Sequence, residues 1–240
     1  MREDRGRNEF YIDDYGVLFG LIAAKCEEQL GEKGLETCRR GVAVMGRERG
    51  LRSAMRCIEN GDELNMHNFF CYGELLDDRG WNRVEVAEYG PVYRTDTVCC
   101  AWYETWKKYG LLKYAGLYCD EIDKNLLYGF NPELRLKVEQ YEAEDGMRCR
   151  FRWLDCRFED EDAWRRLMEK RAGMVHKVTR DFLYETGHLL AVMRRELLLE
   201  YGAVGAGAVI DGALEEYRRL FGQEKEAAVR KESERNFLVL

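Results

Sequence analysis

The fold is indicated most clearly by residues 134–153, which read LRLKVEQYEAEDGMRCRFRW. On each side of the central Glu144-Asp145-Gly146, apolar residues alternate with charged ones, which is the period of a strand with one buried and one exposed face. The central tripeptide is typical of a tight turn. The stretch therefore predicts an antiparallel hairpin in which Cys149 points inward, while the arginines meet solvent or acids such as Glu139 across the strands.

A second hairpin is predicted upstream, between Arg83 and Cys100, because β-forming residues flank the turn signal Tyr89-Gly90-Pro91. Residues 101–109 and 115–128 have helical patterns between the hairpins. The second of these helices should end before Asn131-Pro132, since the residue before proline avoids the α region. Two hairpins need no crossover connection, so the four strands should form one antiparallel sheet.

Both ends of the chain are predicted to be helical. Apolar residues recur at helical spacing from Asp13 to Leu30, with Asp13 or Asp14 suited to cap the start and Gly31 suited to end the helix. A second helix follows at once, which predicts a helical hairpin within residues 13–75. Residues 159–240 are helical in pattern, and three glycines near each end align, which predicts that the second hairpin repeats the first. The aligned pairs are Gly31 with Gly202, Gly34 with Gly205, and Gly41 with Gly212.

These elements predict an α+β fold in which helical hairpins from both ends pack on a small, about four-stranded antiparallel sheet. We expect one domain over residues 1–240, with residues 13–75 and 159–240 forming the hairpins and residues 83–156 forming the central sheet with inserted helices. The 240 residues, 46% hydrophobic, are enough for one core, and no flexible linker interrupts them.

Composition excludes several functional classes. The net charge of -7, with both signs interspersed, argues against a nucleic-acid interface. No run approaches the roughly 20 uninterrupted apolar residues of a membrane span, and the charged start predicts no signal peptide. We therefore expect a cytoplasmic protein with a small-molecule substrate, no nucleic-acid partner and no membrane partner. Association into a homo-oligomer is left open.

The nine cysteines are expected to be reduced thiols, because their number is odd and no export signal is predicted. They include no Cys-x-x-Cys pair, and the three histidines lack metal-ligand spacing, so no metal is predicted. Phosphate-binding glycine loops and the Gly-x-Ser-x-Gly motif are absent as well. We therefore predict no cofactor.

The candidate catalytic residues are Cys119, Asp123 and Cys100. On the helix predicted from Ala115, Cys119 and Asp123 stand one turn apart on an otherwise apolar face, where a carboxylate must be paired or functional. A structural ion pair with an arginine such as Arg52 or Arg94 is the alternative. Cys119 near a helix start and Cys100 at a strand end could have thiol pKa values lowered by a helix dipole, although inert buried thiols are equally compatible.

Several arginines on the second helix form a candidate carboxylate site. Arg52 and Arg56 share a face and Arg49 lies one turn before Arg52, which is a possible fork for a carboxylate. A solvated helix face is the alternative explanation for such a run.

Several motifs together resemble one known family. They are Gly46-Arg47-Glu48-Arg49-Gly50, Trp106-Lys107-Lys108-Tyr109-Gly110, Leu117-Tyr118-Cys119-Asp120, Gly129-Phe130-Asn131-Pro132, and Gly146 with Cys149-Arg150-Phe151. Over most of residues 15–155 the chain resembles the L-2-amino-thiazoline-4-carboxylic acid hydrolase family. Ala101 stands where proline is expected and Met147 where an acid is expected, and these departures concern the substrate more than the fold.

The resemblance implies a hydrolase that opens a small cyclic amidine-like amino acid, 2-amino-thiazoline-4-carboxylate, to N-carbamoyl-cysteine. An aspartate suits the amidinium group, a thiol suits attack on its carbon, and an arginine suits the carboxylate. We therefore expect a catalytic role for Cys119, Asp123 and Cys100. Substrate binding is expected of Arg52, Arg47, Asn131 and Cys149.

Two other functions remain compatible with the sequence. The sheet with its inward cysteine also resembles the 4-vinyl-reductase-like small-molecule-binding domains, which would make the protein a sensor without turnover. A protein-interaction module built from the helical ends is the third class. A cavity bounded by Cys100, Cys119, Asp123 and Cys149 would favour the enzyme, since catalysis needs these groups beside one pocket.

Overall fold

The computed structural model describes residues 9–75, 80–141 and 148–239. These residues form nine α-helices and four β-strands. The helices are α1 (Ile12–Leu30), α2 (Glu32–Glu59), α3 (Met66–Cys71), α4 (Ala101–Lys108), α5 (Ala115–Cys119), α6 (Ile122–Phe130), α7 (Glu161–Val178), α8 (Phe182–Phe221) and α9 (Gln223–Glu232). The strands are β1 (Arg83–Glu88), β2 (Tyr93–Cys99), β3 (Leu136–Gln140) and β4 (Cys149–Trp153).

The chain groups into two compact units that interleave along the sequence. The first contains the chain up to Gly41 together with Thr105–Tyr114 and Asp181–Arg235, and the second contains Val42–Glu104, Ala115–Arg180 and the chain from Asn236. The predicted division into residues 13–75, 83–156 and 159–240 was consecutive and does not follow these boundaries. A single domain over residues 1–240 stays a prediction.

In the first unit, α1 begins at Ile12, so neither Asp13 nor Asp14 is its N-cap. The Asp14 carboxylate instead accepts a hydrogen bond of 2.8 Å from the backbone N–H of Tyr11. Asp14 also accepts hydrogen bonds from the Tyr217 hydroxyl and the Lys225 ammonium, each at 2.8 Å. Because a buried carboxylate needs such partners, Asp14 ties the start of α1 to the C-terminal helices.

One aligned glycine pair of the predicted repeat, Gly41 and Gly212, lies at helix contacts within the first unit. Gly41 abuts Glu196 of α8, and Gly212 of α8 abuts Lys25 of α1. Gly212 lies 171 positions after Gly41, and Glu196 lies 171 positions after Lys25. The alignment that pairs the two glycines therefore also pairs the two residues they contact. The internal repeat itself stays a prediction.

Among the described residues, α8 is the one helix with the length and composition of a membrane-spanning helix. About a third of its apolar window is buried, and core helices of water-soluble proteins pass the same test. Gly202 breaks α8 with a φ of 66°, a left-handed conformation that favours glycine. The absence of a membrane span, inferred from uninterrupted apolar length, stays a prediction.

The second unit contains a four-stranded antiparallel sheet in the order β1-β2-β4-β3, which confirms the predicted α+β class. Tyr93 of β2 and Leu136 of β3 both pair with Trp153 of β4. The expected cross-strand ion pairs form, since Glu139 accepts from Arg152 at 3.2 Å and lies 3.5 Å from Arg94. The predicted turn at residues 144–146 lies outside the described residues.

Aromatic side chains build the core of the second unit on one side of the sheet. The Phe69 ring packs edge-on against Phe130 at a centroid distance of 5.5 Å, and Phe70 packs likewise against Trp153 at 4.9 Å. Helix α7 covers this core with Trp164, Leu167 and Met174. Aromatic edge-to-face pairs of this kind add to the free energy gained from burial.

Helices α2 and α6 approach so closely that their backbones touch. A Cβ atom on Gly50 would lie 2.1 Å from the Leu126 carbonyl oxygen, and one on Gly129 would lie 2.2 Å from the Arg47 carbonyl oxygen. Glycine is therefore required at both positions. A Cβ atom on Gly46 would lie 3.1 Å from the Ile122 carbonyl oxygen, so the middle of α2 lies beside the first turn of α6, which contains Asp123.

No disulfide joins the nine cysteines, all of which lie within the described residues. We expect thermal unfolding curves with and without reductant to coincide, because no cross-link restricts the unfolded chain. Differential scanning calorimetry in the presence and absence of a phosphine reductant would check this. A melting temperature that falls on reduction would contradict it.

Candidate functional site

The second unit contains a cavity of about 220 Å³. Residues of α2, β1, β2, α4, α5, α6 and β4 line it, together with residues between α3 and β1, before α4 and after β3. The lining residues are Arg49, Leu75, Asn82, Val84, Thr97, Cys100, Trp102, Tyr118, Cys119, Ile122, Asp123, Leu126, Tyr141, Cys149 and Phe151. The volume suits a small molecule rather than a drug-sized ligand.

Four of the seven predicted site residues line this cavity. They are Cys100, Cys119, Asp123 and Cys149. The other three, Arg52, Arg47 and Asn131, are not among its lining residues.

Cys119 lies at the end of its helix, because the predicted helix 115–128 is broken at Asp120 and Glu121. The prediction that Cys119 and Asp123 stand one turn apart on one helix is therefore wrong. The prediction of a helix dipole that favours the Cys119 thiolate is also wrong, since a helix C-terminus carries partial negative charge. Burial raises the pKa of the Cys119 thiol well above its ordinary value, and the charges of Cys100, Cys149 and Asp123 raise it further. Cys119 is a neutral thiol at physiological pH.

Cys100 occupies the predicted position between a strand and a helix. It follows β2 directly, and its carbonyl oxygen accepts a hydrogen bond of 3.1 Å from the backbone N–H of Glu104 in the first turn of α4. The geometry places the Cys100 thiol at the cavity wall next to a helix start.

Asp123 lies in the first turn of α6 and faces the cavity. Burial raises the pKa of its carboxyl to about 6, and the positive charge of Arg49 opposes this rise. The charged partner of Asp123 is therefore Arg49, whereas Arg94 pairs with Glu88 at 2.7 Å on the sheet. A carboxyl that titrates near neutral pH can accept a proton there and release it again.

The predicted carboxylate fork exists, but the carboxylate it binds belongs to the protein. Arg52 donates two hydrogen bonds to Glu74, at 2.8 and 2.7 Å, and Arg56 donates a third at 2.6 Å. The Arg49 Nε atom lies 3.8 Å from the same carboxylate. Arg52 also donates to the carbonyl oxygen of Phe237 at 2.9 Å. The predicted substrate-binding residue Arg52 is thus fully buried and engaged inside the protein.

Glu74 was not identified from the sequence. Burial alone would raise the pKa of its carboxyl, but the hydrogen bonds from Arg52 and the charges of Arg52, Arg49 and Arg56 outweigh burial and lower it to about 2. Glu74 follows α3, and no sequence spacing connects it to the arginines of α2. Only the tertiary fold brings them together.

Arg47 and Asn131 make structural contacts. Arg47 donates to the Asn125 side chain at 2.9 Å, and its guanidinium lies 5.2 Å from the centre of the Tyr128 ring. Asn131 donates to the Leu64 carbonyl oxygen at 2.7 Å and accepts from the backbone N–H of Glu133 at 2.9 Å. Both residues hold α6 in place rather than facing the cavity.

The sequence also did not indicate that aromatic side chains form one side of the cavity. Trp102, Tyr118, Tyr141 and Phe151 form it. Burial raises the pKa of Tyr141, and the negative charges of Asp123 and Asp120 raise it further, so Tyr141 carries a neutral hydroxyl. Of these four, only Phe151 lay in a predicted core face, and the alternation gave no sign that this face bounds a cavity.

The donor set of the cavity favours proton transfer. Within the described residues, no group of three His, Cys, Asp or Glu side chains is arranged to hold a metal ion. The cavity instead combines a carboxyl that titrates near neutrality, a buried arginine, three thiols and a tyrosine hydroxyl. Such a set can bind a small polar molecule and move a proton at a carboxyl oxygen.

Comparison with known proteins identifies a family. The family model described as L-2-amino-thiazoline-4-carboxylic acid hydrolase matches residues 14–153, a span that contains every lining residue of the cavity. No curated protein and no solved structure matches the chain.

Proposed function

The chain belongs to the L-2-amino-thiazoline-4-carboxylic acid hydrolase family, and we propose that it hydrolyses a small cyclic amidine-like amino acid in this cavity. The observation that carries the proposal is the pair of Asp123 and Arg49 beside the thiols of Cys100, Cys119 and Cys149 in one small cavity. A carboxylate can bind the amidinium group of such a substrate, and an arginine can bind its carboxylate.

In the proposed reaction, Asp123 removes a proton from water as the water oxygen attacks the amidine carbon of the ring. The carbon–sulfur bond then breaks as the carbonyl forms: the hydroxyl proton of the adduct is released to water, and the proton held by Asp123 passes to the leaving sulfur. From the amidinium form of the ring, the net change is the addition of one water molecule and the release of one proton, to give N-carbamoyl-cysteine with a free thiol. This route is favoured over thiolate attack, because burial and neighbouring charges keep Cys119 protonated.

Arg49 is proposed as the carboxylate-binding residue in place of Arg52. Three guanidinium groups, those of Arg49, Arg52 and Arg56, face the carboxyl groups of Glu74 and Asp123. Among the three arginines, Arg49 is the one that lines the cavity.

Turnover is expected to survive the substitution Cys119→Ser. If Asp123 activates water, a hydroxyl in place of the thiol only alters the cavity wall, and the rate should fall by no more than about tenfold. Release of the product thiol from 2-amino-thiazoline-4-carboxylate, followed with a thiol-reactive dye, measures this. Cys57→Ser, which removes a buried thiol away from the cavity, is the matched control. A loss of about a thousandfold or more in Cys119→Ser alone would instead make this thiol the nucleophile.

The activity should rise with pH and then level off. A general base acts in its deprotonated form, so kcat/KM should increase as the pH passes through about 6, the pKa of Asp123, and stay constant above it. Initial rates between about pH 4.5 and 8.5 test this. A profile that falls through the same range would mean that the protonated carboxyl is the active form.

The aromatic side of the cavity also suits ligand binding without chemistry, as in a sensor. Isothermal titration calorimetry with 2-amino-thiazoline-4-carboxylate separates the two functions. Binding that releases no thiol would favour the sensor, whereas binding with thiol release favours the hydrolase.

A further inference from the structure

Glu74 does not line the cavity, and two arginines bind its carboxylate. It is 2% exposed, and it accepts hydrogen bonds from Arg52 and Arg56. Its backbone is fixed too, since its carbonyl oxygen accepts a hydrogen bond of 2.8 Å from the backbone N–H of Arg180. Glu74 is therefore a rigid negative charge behind the cavity wall.

Arg49 connects Glu74 to the candidate base. Its Nε atom lies 3.8 Å from a Glu74 oxygen, its side chain lines the cavity, and its charge acts on Asp123. The positive charge of Arg49 thus acts on two carboxyl groups, those of Glu74 and Asp123. An aspartate in a full ion pair with arginine typically has its pKa lowered by 1–3 units, which makes it a weak base near neutral pH.

Building on the proposed role of Asp123, we propose that Glu74 is a positioning residue that holds the Arg49 guanidinium back from a full ion pair with Asp123. Arg52 and Arg56 support this role, because they keep Glu74 ionised and fixed. Without Glu74, the Arg49 guanidinium is drawn more strongly to Asp123. Asp123 then loses its capacity to accept a proton near pH 6, and Arg49 loses its orientation towards a substrate carboxylate.

The other groups that face Asp123 do not supply this effect. The titratable side chains that line the cavity besides Asp123 and Arg49 are Cys100 before α4, Tyr118 and Cys119 on α5, Tyr141 after β3 and Cys149 on β4. Burial raises the pKa of the Cys119 thiol and that of the Tyr141 hydroxyl, so neither group supplies a negative charge that could hold Arg49. Arg49 is the one cation among the described residues that line the cavity.

The experiment is a titration of the Asp123 carboxyl carbon by NMR on protein labelled at aspartate, with Asp123→Asn identifying the resonance. In Glu74→Gln the midpoint should fall below that of the wild-type chain by about one unit or more. A midpoint that stays in place would overturn the proposal, and so would one that rises. The control Asp62→Asn removes another ion-paired carboxylate of the second unit, bound to Lys170 at 2.7 Å, and should leave the midpoint unchanged.

Glu74→Gln leaves the charges of the buried Arg52 and Arg56 without their carboxylate, and this variant could fail to fold. A second variant tests the proposal in that case. Glu74→Gln with Arg52→Met removes one charge of each sign, so the net charge of the cluster is the same as in the wild-type chain. The Asp123 midpoint should still fall, because Arg49 has lost its second carboxylate. An unchanged midpoint in this double variant would overturn the proposal.

This titration needs no substrate, so it separates the two proposals. If the wild-type chain does not hydrolyse 2-amino-thiazoline-4-carboxylate, the proposed function is wrong. A shifted titration midpoint of Asp123 would still show that Glu74 acts on Asp123. In an active wild-type chain, the acid side of the kcat/KM profile should move to lower pH in the Glu74 variants. A mere loss of folded protein would lower the whole profile without moving it.

Discussion

Asp123→Asn is expected to lower kcat/KM for 2-amino-thiazoline-4-carboxylate by about 10²–10⁴-fold, the usual contribution of a general base. The amide has nearly the same shape as the carboxyl group but cannot take a proton from water. It also lacks the negative charge that would face the amidinium group of the substrate. Thiol release under saturating and limiting substrate gives kcat and kcat/KM separately, and both should fall.

The fold should survive this substitution. Burial raises the pKa of Asp123 to about 6, whereas an aspartate in an unfolded chain titrates near 4. The folded state therefore binds the proton more tightly, and it loses stability as the pH rises through this window. The asparagine variant does not undergo that loss, so its melting temperature at about pH 8 should equal or exceed that of the wild-type chain.

Asp120→Asn is the matched control for this prediction. Asp120 lies between α5 and α6, three positions before Asp123, and it is not among the lining residues. The same chemical change there should leave kcat/KM within a few-fold of the wild-type value. Full activity in Asp123→Asn would remove the proposed site, and equal losses in the two variants would point to a change in the loop rather than in the base.

The sheet was predictable because its signals are local. Alternation with a period of two around a turn predicted the pairing of β3 with β4, and β-forming residues on both sides of a turn signal predicted the pairing of β1 with β2. The break between α5 and α6 was not predictable, since residues 115–128 are helical in pattern and neither proline nor glycine lies at Asp120 and Glu121. That single break moved Cys119 from a helix start to a helix end, and it reversed the expected effect of the helix on its thiol.

The arginines of the candidate site also show that helical spacing does not determine tertiary contacts. Helical spacing correctly placed Arg49, Arg52 and Arg56 on one face of α2, but it could not tell which of them reaches the cavity. That depends on Glu74 and on the carbonyl oxygen of Phe237, which engage Arg52 from outside its helix. A buried guanidinium is bound by whatever acceptors the tertiary fold supplies, so sequence spacing predicted the fork and missed its ligand.

Arg49→Gln is expected to lower kcat/KM for 2-amino-thiazoline-4-carboxylate by about 100-fold, because a buried charge-assisted contact to the substrate carboxylate is lost. The ring without its carboxylate, 2-amino-2-thiazoline, is a substrate that never made this contact. Its kcat/KM should be low in the wild-type chain and should change little in the variant. Rates should be compared at about pH 8, since removing Arg49 raises the pKa of Asp123 and would otherwise lower the fraction of active base.

Arg47→Gln is the matched control, because Arg47 lies two positions earlier on α2 and donates to Asn125 instead of facing the cavity. It should retain the preference of the wild-type chain for the carboxylated substrate. The kcat/KM values of the wild-type chain and Arg49→Gln on the two substrates form a thermodynamic cycle. The coupling free energy from this cycle measures the contact between Arg49 and the substrate carboxylate, because general damage to the site lowers both rates alike and cancels. Equal losses on both substrates would show that Arg49 acts only through Asp123, and the carboxylate would then have to be bound by another group of the cavity.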